Sequence, residues 1–267
     1  MNICLLKYGG NGPGNSCCNL NDVMMYSLLD LGYTLVDHEE ADIVIAIRSF
    51  PKNIKKQKGK RYILYQIEQY ESKVEQVESF YAFKSDEIWG FDIDNARETY
   101  VPLGYHPCLE FKSAKSLPFM PTNRTEDIDV SFFGCFGDRR GRWNEKVKNR
   151  WMILNTFDDK LRGKNILRTK INFNMHYYEY ENVMFTEWGR ISYFLANDCF
   201  FISEKFYCPI DVPQFSTVKE YDVLVDYFLQ CPEERIKKGK EMGQAYKRDF
   251  DMRDILKEKL LWLAYQS

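Results

Sequence analysis

Two stretches of this chain combine glycines with the setting in which proteins bind anions. In Gly134-Cys135-Phe136-Gly137-Asp138-Arg139-Arg140-Gly141-Arg142, Gly134 and Gly137 let a backbone approach a phosphate closely. The arginines supply bidentate anion clamps beside an expected helix N-terminus. The chemistry is that of holding a phosphate through at least one of Arg139, Arg140 and Arg142; the alternative is a solvated basic turn. Gly9-Gly10-Asn11-Gly12-Pro13-Gly14 is a second cradle, in which Gly10 and Gly12 carry the spacing. It departs from the dinucleotide fingerprint, because Asn15 stands where a third glycine is required. A phosphate loop and a tight connection are equally good readings of it.

Acids offer a different chemistry. Seven residues separate Glu179 from Glu187, and Glu68 follows an apolar run in Gln66-Ile67-Glu68-Gln69-Tyr70. Glu68 is a candidate general base or acceptor-hydroxyl ligand, to be weighed against a plain surface glutamate. Asp92-Ile93-Asp94 spells a paired-acid motif, but it precedes a short helical stretch and reads as a helix cap. The three histidines, His38, His106 and His176, form no spaced ligand pair, and the eight cysteines include no C-x-x-C. A structural zinc site is not expected. The cysteines read as small buried hydrophobes in a reducing compartment.

The elements that must position these groups follow from the hydrophobic pattern. Strands are expected at Asn2–Tyr8, Tyr33–Val36, Asp42–Ile47, Arg61–Gln66, Glu87–Phe91 and Tyr100–Leu103, with helices after an Asn19 or Asn21 N-cap, at Val74–Phe83 and at Asn95–Thr99. Gly32 ends the first helix, and basic Lys52–Lys60 is a solvated loop or short helix. Continuous apolar runs such as Ile43–Ile47 are what a parallel sheet buries on both faces. Strands alternating with helices argue for βαβ units. Pro107, Pro118 and Pro121 then break the pattern. It restarts with strands at Ile128–Gly134, Trp151–Leu154, Lys170–Asn174 and Cys199–Ser203. Helices are expected at Arg140–Asn149, Thr186–Asn197, Tyr221–Gln230, Glu233–Arg248 and Arg253–Ala264. The reading is α/β, two Rossmann-like doubly wound domains facing across a cleft: residues 1–106, a linker 107–127, residues 128–250, and a last helix (251–267) returning to the first domain. Ligands bind outside the carboxyl ends of such strands, so function belongs to the residues just after each one.

Composition bounds the function. The chain has 267 residues, 45% of them apolar and 28% charged, which excludes wholesale disorder. Lys plus Arg at 37 against Asp plus Glu at 39 leaves a net charge of −2. That gives no strong nucleic-acid signal, though a local cationic patch remains open. The longest apolar runs fall far short of the roughly 20 residues that span a bilayer, and no charged-then-apolar leader precedes Asn2. A cytoplasmic location is expected, the host cytoplasm if the source is viral.

Several segments resemble a known family. "DIDVSFFGCFGDRRGRW", "TKINFNMHYYEYENVMFTEWGRISYFLANDCFFISE" and "ERIKKGKEMGQAYKRDFDMRDIL" are similar to the C-terminal domain of group-1-type glycosyltransferases of the two-domain GT-B architecture, especially the short spore-maturation-protein-like branch. "YVPLGYHP" resembles the strand that leads into the hinge. The resemblance implies a nucleotide-sugar donor, UDP- or GDP-linked, on the second domain and a glycan or other hydroxyl acceptor. The family's Glu-x7-Glu pair maps onto Glu179 and Glu187. Glu187, at a helix start, would accept both ribose hydroxyls, and Glu179 would take hydroxyls of the transferred sugar. The glycine-containing start of the family's commonest form is replaced here by Glu179-Tyr180-Glu181-Asn182. His176 and Tyr177 would lie beside the donor, and the arginines after Ile128–Gly134 would neutralise the leaving diphosphate. No cofactor is implied. A metal-independent reaction is expected because no paired-acid motif stands at a donor-side strand end, and the resemblance leans towards retention of configuration. The competing readings are a catalytically silent nucleotide- or glycan-binding module and a dinucleotide oxidoreductase, the latter weakened by Asn15.

Overall fold

The computed structural model describes residues 1–7, 18–67, 83–91, 93, 98–111, 126–134, 137–147, 151–154, 159–176 and 187–265. The chain divides into two compact units. The first is Met1–His106 with Met184–Trp188 and Phe250–Ser267; the second is Pro107–Val183 with Gly189–Asp249.

The first unit is built on a six-stranded parallel sheet. Its strands are β1 (Asn2–Leu6), β2 (Thr34–Leu35), β3 (Ile43–Ile47), β4 (Arg61–Gln66), β5 (Glu87–Gly90) and β6 (Thr99–Tyr100), in the order β2-β1-β3-β4-β5-β6. All five residues of β3 are buried, as are Tyr62–Gln66 of β4. Burial on both faces is what their unbroken apolar runs require. Helix α1 (Cys18–Asp30) buries Leu20, Val23, Met24 and Leu28. It ends in a Schellman motif: Tyr33 N donates to Leu28 O at 3.1 Å and Gly32 N to Leu29 O at 2.9 Å, with Gly32 at φ +80°. A glycine suits that left-handed position.

The chain returns to this unit near where it left. Tyr105 pairs with Asp251 in a parallel bridge, and Met252 N donates to Tyr105 O at 2.9 Å. A Cβ on Gly104 would lie 2.5 Å from Phe250 O, so only glycine lets the two segments come this close. The last helix (Met252–Tyr265) packs against α1 and buries Met252, Leu256, Leu260 and Leu263. Ile255, on the same helix, is only half-buried.

The second unit carries a five-stranded parallel sheet: β7 (Ile128–Phe133), β8 (Met152–Leu154), β9 (Thr169–Asn174), β10 (Phe201–Glu204) and β11 (Gln214–Phe215), in the order β11-β10-β9-β7-β8. Its helices are α2 (Asp138–Lys146), α3 (Asp159–Arg168), α4 (Trp188–Ala196), α5 (Val218–Gln230) and α6 (Pro232–Asp249); the last helix of the chain is therefore α7. An aromatic cluster of Phe132, Trp151, Phe173, Phe215 and Tyr221, with ring centroids 5.0–5.9 Å apart, fills one side of the sheet. Polar side chains are buried in the strands and bonded in pairs. Ser131 Oγ meets Thr169 Oγ1 at 2.8 Å, and Asn174 Nδ2 donates to Ser203 Oγ at 2.9 Å.

Helix α3 and strand β11 have no counterpart in the sequence reading, because α3 (DKLRGKNILR) is polar and interrupted by Gly163. That glycine admits the Phe111 ring, whose Cδ1 would lie 2.8 Å from a Cβ. Cys4, Cys108, Cys199, Cys208 and Cys231 are free thiols, and burial pushes Cys208 up to about 12. Among the described residues no helix is long and apolar enough to cross a membrane.

Candidate functional site

In the second sheet, β7 has β8 on one side and β9 on the other. The chain therefore turns in opposite directions after β7 and after β9, opening a crevice at their carboxyl ends where doubly wound sheets bind ligands. Charged side chains converge at that point.

Gly134 leaves β7 at φ +148°, a conformation L side chains rarely adopt. A Cβ there would also lie 3.1 Å from Arg190 Nη2 and 3.2 Å from the Phe132 ring. Gly137 follows as an extended N-cap residue with no side-chain cap, and α2 starts at Asp138. The first amides of a helix lack partners within it, and its dipole favours an anion at that end.

The three arginines of this turn part company. Arg140 is 2% exposed; its Nη2 donates to Met175 O at 2.7 Å, and its guanidinium sits 4.7 Å from the Phe132 ring centre. That is a structural task, joining α2 to the end of β9. Arg139, one residue earlier and about 100° round the helix, reaches the crevice instead. Both of its terminal nitrogens bond the Glu204 carboxylate, and Nη1 also donates to His176 O at 2.9 Å. Arg142 is exposed.

His176 lies just past β9. Its backbone is held on both sides, N donating to Glu204 Oε2 at 3.1 Å and O accepting from Arg139. The ring is buried and stands edge-on to Phe206 at 6.1 Å. Glu187 is half-buried and directly precedes α4; Glu187 and Trp188 both belong to the first unit, where Trp188 packs against Phe250 at 5.5 Å. Glu179, Glu68, Tyr177, Gly10 and Gly12 lie outside the described residues, as does most of the Asp92–Asp94 motif.

Two residues of the crevice were given no role by sequence reasoning. Arg190 stands on α4 (WGRISYFLA), otherwise uncharged. Its guanidinium donates to Phe133 O at 2.8 Å, to Asn174 Oδ1 at 2.5 Å and to Met175 O at 3.3 Å, and lies 4.9 Å from the Phe132 ring on which Arg140 also packs. It thus ties the end of β7 to the end of β9. Glu204 closes the apolar strand FISE. The signal for each was a single charge in an apolar element, which is costly to bury unless it is paired. Among the described residues no group of three or more His, Cys, Asp and Glu could hold a metal ion.

No protein-family model matches the sequence, and no curated protein does. Solved structures do match in fold. An alpha-glucosyltransferase in complex with UDP and a 13-mer DNA superposes with a TM-score of 0.67 at 9% identity, over 99% of this chain and 100% of that one. AviGT4, a glycosyltransferase of avilamycin A biosynthesis, gives 0.59 at 9% identity over 97% and 96%. The T4 phage BGT in complex with UDP and Mn2+ gives 0.59 at 12% identity over 97% and 99%. The fold is that of the GT-B glycosyltransferases. Two Rossmann-like units, each with a parallel sheet, account for the likeness.

Proposed function

We propose that this protein is a glycosyltransferase that moves a sugar from a nucleoside-diphosphate sugar to a hydroxyl acceptor, with the donor held at the β7–β9 crevice of the second unit. The observation that carries the reading is Arg139, held in that crevice by Glu204 and the His176 carbonyl beside the α2 N-terminus. Structures of like fold hold UDP, as the alpha-glucosyltransferase and the T4 enzyme do.

In this reading Arg139 and the α2 amides meet the diphosphate, whose charge grows as the glycosidic bond breaks. Glu187 accepts the ribose hydroxyls, Glu179 those of the transferred sugar, and Glu68 of the first unit serves the acceptor. Arg140 and Arg190 hold the two loops apart at the right spacing. The reaction is retaining, as the family resemblance suggests, and needs no metal, because no paired-acid motif stands at a donor-side strand end and the arginines can take the diphosphate charge; turnover undiminished by EDTA and a product of unchanged anomeric configuration are the expected results.

Calorimetric titration with UDP and GDP tests the donor site. A hydrogen bond to a charged group contributes roughly 1.5–3 kcal/mol, so Arg139→Ala should weaken nucleotide binding about 10- to 100-fold. Glu187→Ala should do the same through the ribose. Equal affinity in wild type and both variants would place the donor elsewhere. Nucleotide binding with no release of nucleoside diphosphate from any nucleotide sugar would favour the binding-module reading.

A further inference from the structure

The loop between β3 and β4 has no part in the donor reading, yet it is the most one-sided charge feature of the molecule. Six of the ten residues 52–61 are Lys or Arg and none is acidic, in a chain whose net charge is −2. Lys56 pairs with Asp86 at 2.6 Å, Lys60 donates to the carbonyls of His38 and Glu39 at 2.5 Å, and Arg61 donates to Leu263 O at 3.0 Å. Lys52, Lys55 and Lys58 are exposed, and among the described residues none of the three has an ion-pair partner.

The backbone beneath these lysines is fixed. Tyr62, fully buried, accepts from Gln57 N at 3.0 Å and donates to Lys55 O at 3.2 Å through one hydroxyl, which also meets His38 Nε2 at 2.9 Å. Phe50 and Phe83 stack beneath with Tyr62 tilted against both, and Ile54 turns inward to join them. Arg48 opens the loop at φ +70°, a strained setting for a residue with a side chain. A merely solvated loop gains nothing from such anchoring. A binding surface does, because preorganisation lowers the entropic cost of association.

We propose that residues 52–58 form a docking ridge for the sugar-phosphate backbone of a nucleic acid. Exposed Asn53 and Gln57 interleave with the three lysines, and Lys, Asn and Gln are among the side chains that contact phosphate and sugar. An anionic bilayer would be met by apolar side chains set among the cations, and the ridge's one aliphatic residue, Ile54, faces the core instead. The inference stands apart from the donor reading, since it needs no nucleotide sugar.

Fluorescence anisotropy of a labelled DNA duplex, without donor, tests it. Three phosphate contacts at a slope of about −0.9 each predict roughly 40-fold weaker binding on going from 50 to 200 mM salt. The triple variant K52A/K55A/K58A should lose that salt dependence and bind at least tenfold more weakly at 50 mM, with an unchanged melting curve. Lys237→Ala, an exposed lysine of the second unit, should bind as wild type. No duplex binding, or binding that the triple variant leaves intact, overturns the proposal. So does lysine-dependent binding to phosphatidylserine vesicles with none to DNA.

Discussion

Both sheets place their first strand second from one edge, with the second strand outside it and the third inside, yet the two units equip the same topology differently. In the first, the central strands IVIAI and RYILYQ are apolar almost throughout and fully packed. In the second, β9 reads TKINFN and buries Asn172 and Asn174 completely, while β7 buries Ser131. Such polar groups are costly unless every one finds a partner. Asn174 passes hydrogen bonds along to the crevice: Arg190 to Asn174, Asn174 to Ser203, Ser203 to the Glu204 backbone, while Ser131 bonds Thr169 and Asn172 the Phe200 carbonyl. One sheet spends its strands on packing. The other spends part of them on orienting two arginines.

That contrast can be broken by mutation. Asn174→Leu is the sharpest attempt, since it keeps volume but strips partners from Arg190 and Ser203. A loss of about 3 kcal/mol in unfolding free energy is expected; a cost below about 1 kcal/mol in denaturant titration would show that the polar chain is idle. Arg139→Lys keeps the charge but loses the two-pronged grip on Glu204. Roughly tenfold weaker UDP binding with an unchanged melting temperature is expected, and unaltered binding would mean that orientation by Glu204 is immaterial. In the first unit Arg48 and Lys84 carry left-handed backbone, and Arg48→Gly should stabilise the fold by up to about 1 kcal/mol through relief of that conformation. Destabilisation would assign the Arg48 side chain a bond worth more than its strain.

The smallest effect concerns pH. Hydrogen bonding from Arg253, which also donates to Asp251 through its backbone, holds the Asp251 carboxyl below the usual carboxylate range. A depressed folded value adds stability that is fully present above the unfolded carboxyl value of about 3.9 and is lost as pH falls through the folded one. Arg253→Met should therefore lower stability slightly at neutral pH and shallow the acid limb below about pH 4, so that the two profiles converge at the acid end. An acid limb of wild-type steepness would remove Asp251 from the account.

The sequence was most legible where one force dominated. Arg61–Gln66 is a strand with the bounds that its apolar run suggests, and Glu233–Arg248 differs from its helix by a residue at each end. Legibility failed where burial and pairing diverge. Val101 and Leu103 are buried as a strand would be, yet the pairing stops at Tyr100. At the crevice, the glycine–arginine turn was visible, but the division of labour within it was not. Arg139 and Arg140 are the same residue type, and only the helix phase relative to β9 separates the one that reaches Glu204 from the one that packs on Phe132. Arg190 and Glu204 depend on contacts across strands far apart in sequence, which local patterning does not register.

The bridge between Tyr105 and Asp251 also sets an order of assembly. During synthesis, the chain from Pro107 to Asp249 is complete before Met252–Leu263 leaves the ribosome, and domains generally fold as units while they emerge. The first sheet, though translated first, must wait for its closing helix. Until then the face of α1 that α7 covers lies open, and β4 lacks the carbonyl of Leu263 that Arg61 will grasp. The unit begun earliest is finished last, and it is the one that would need a chaperone's shelter.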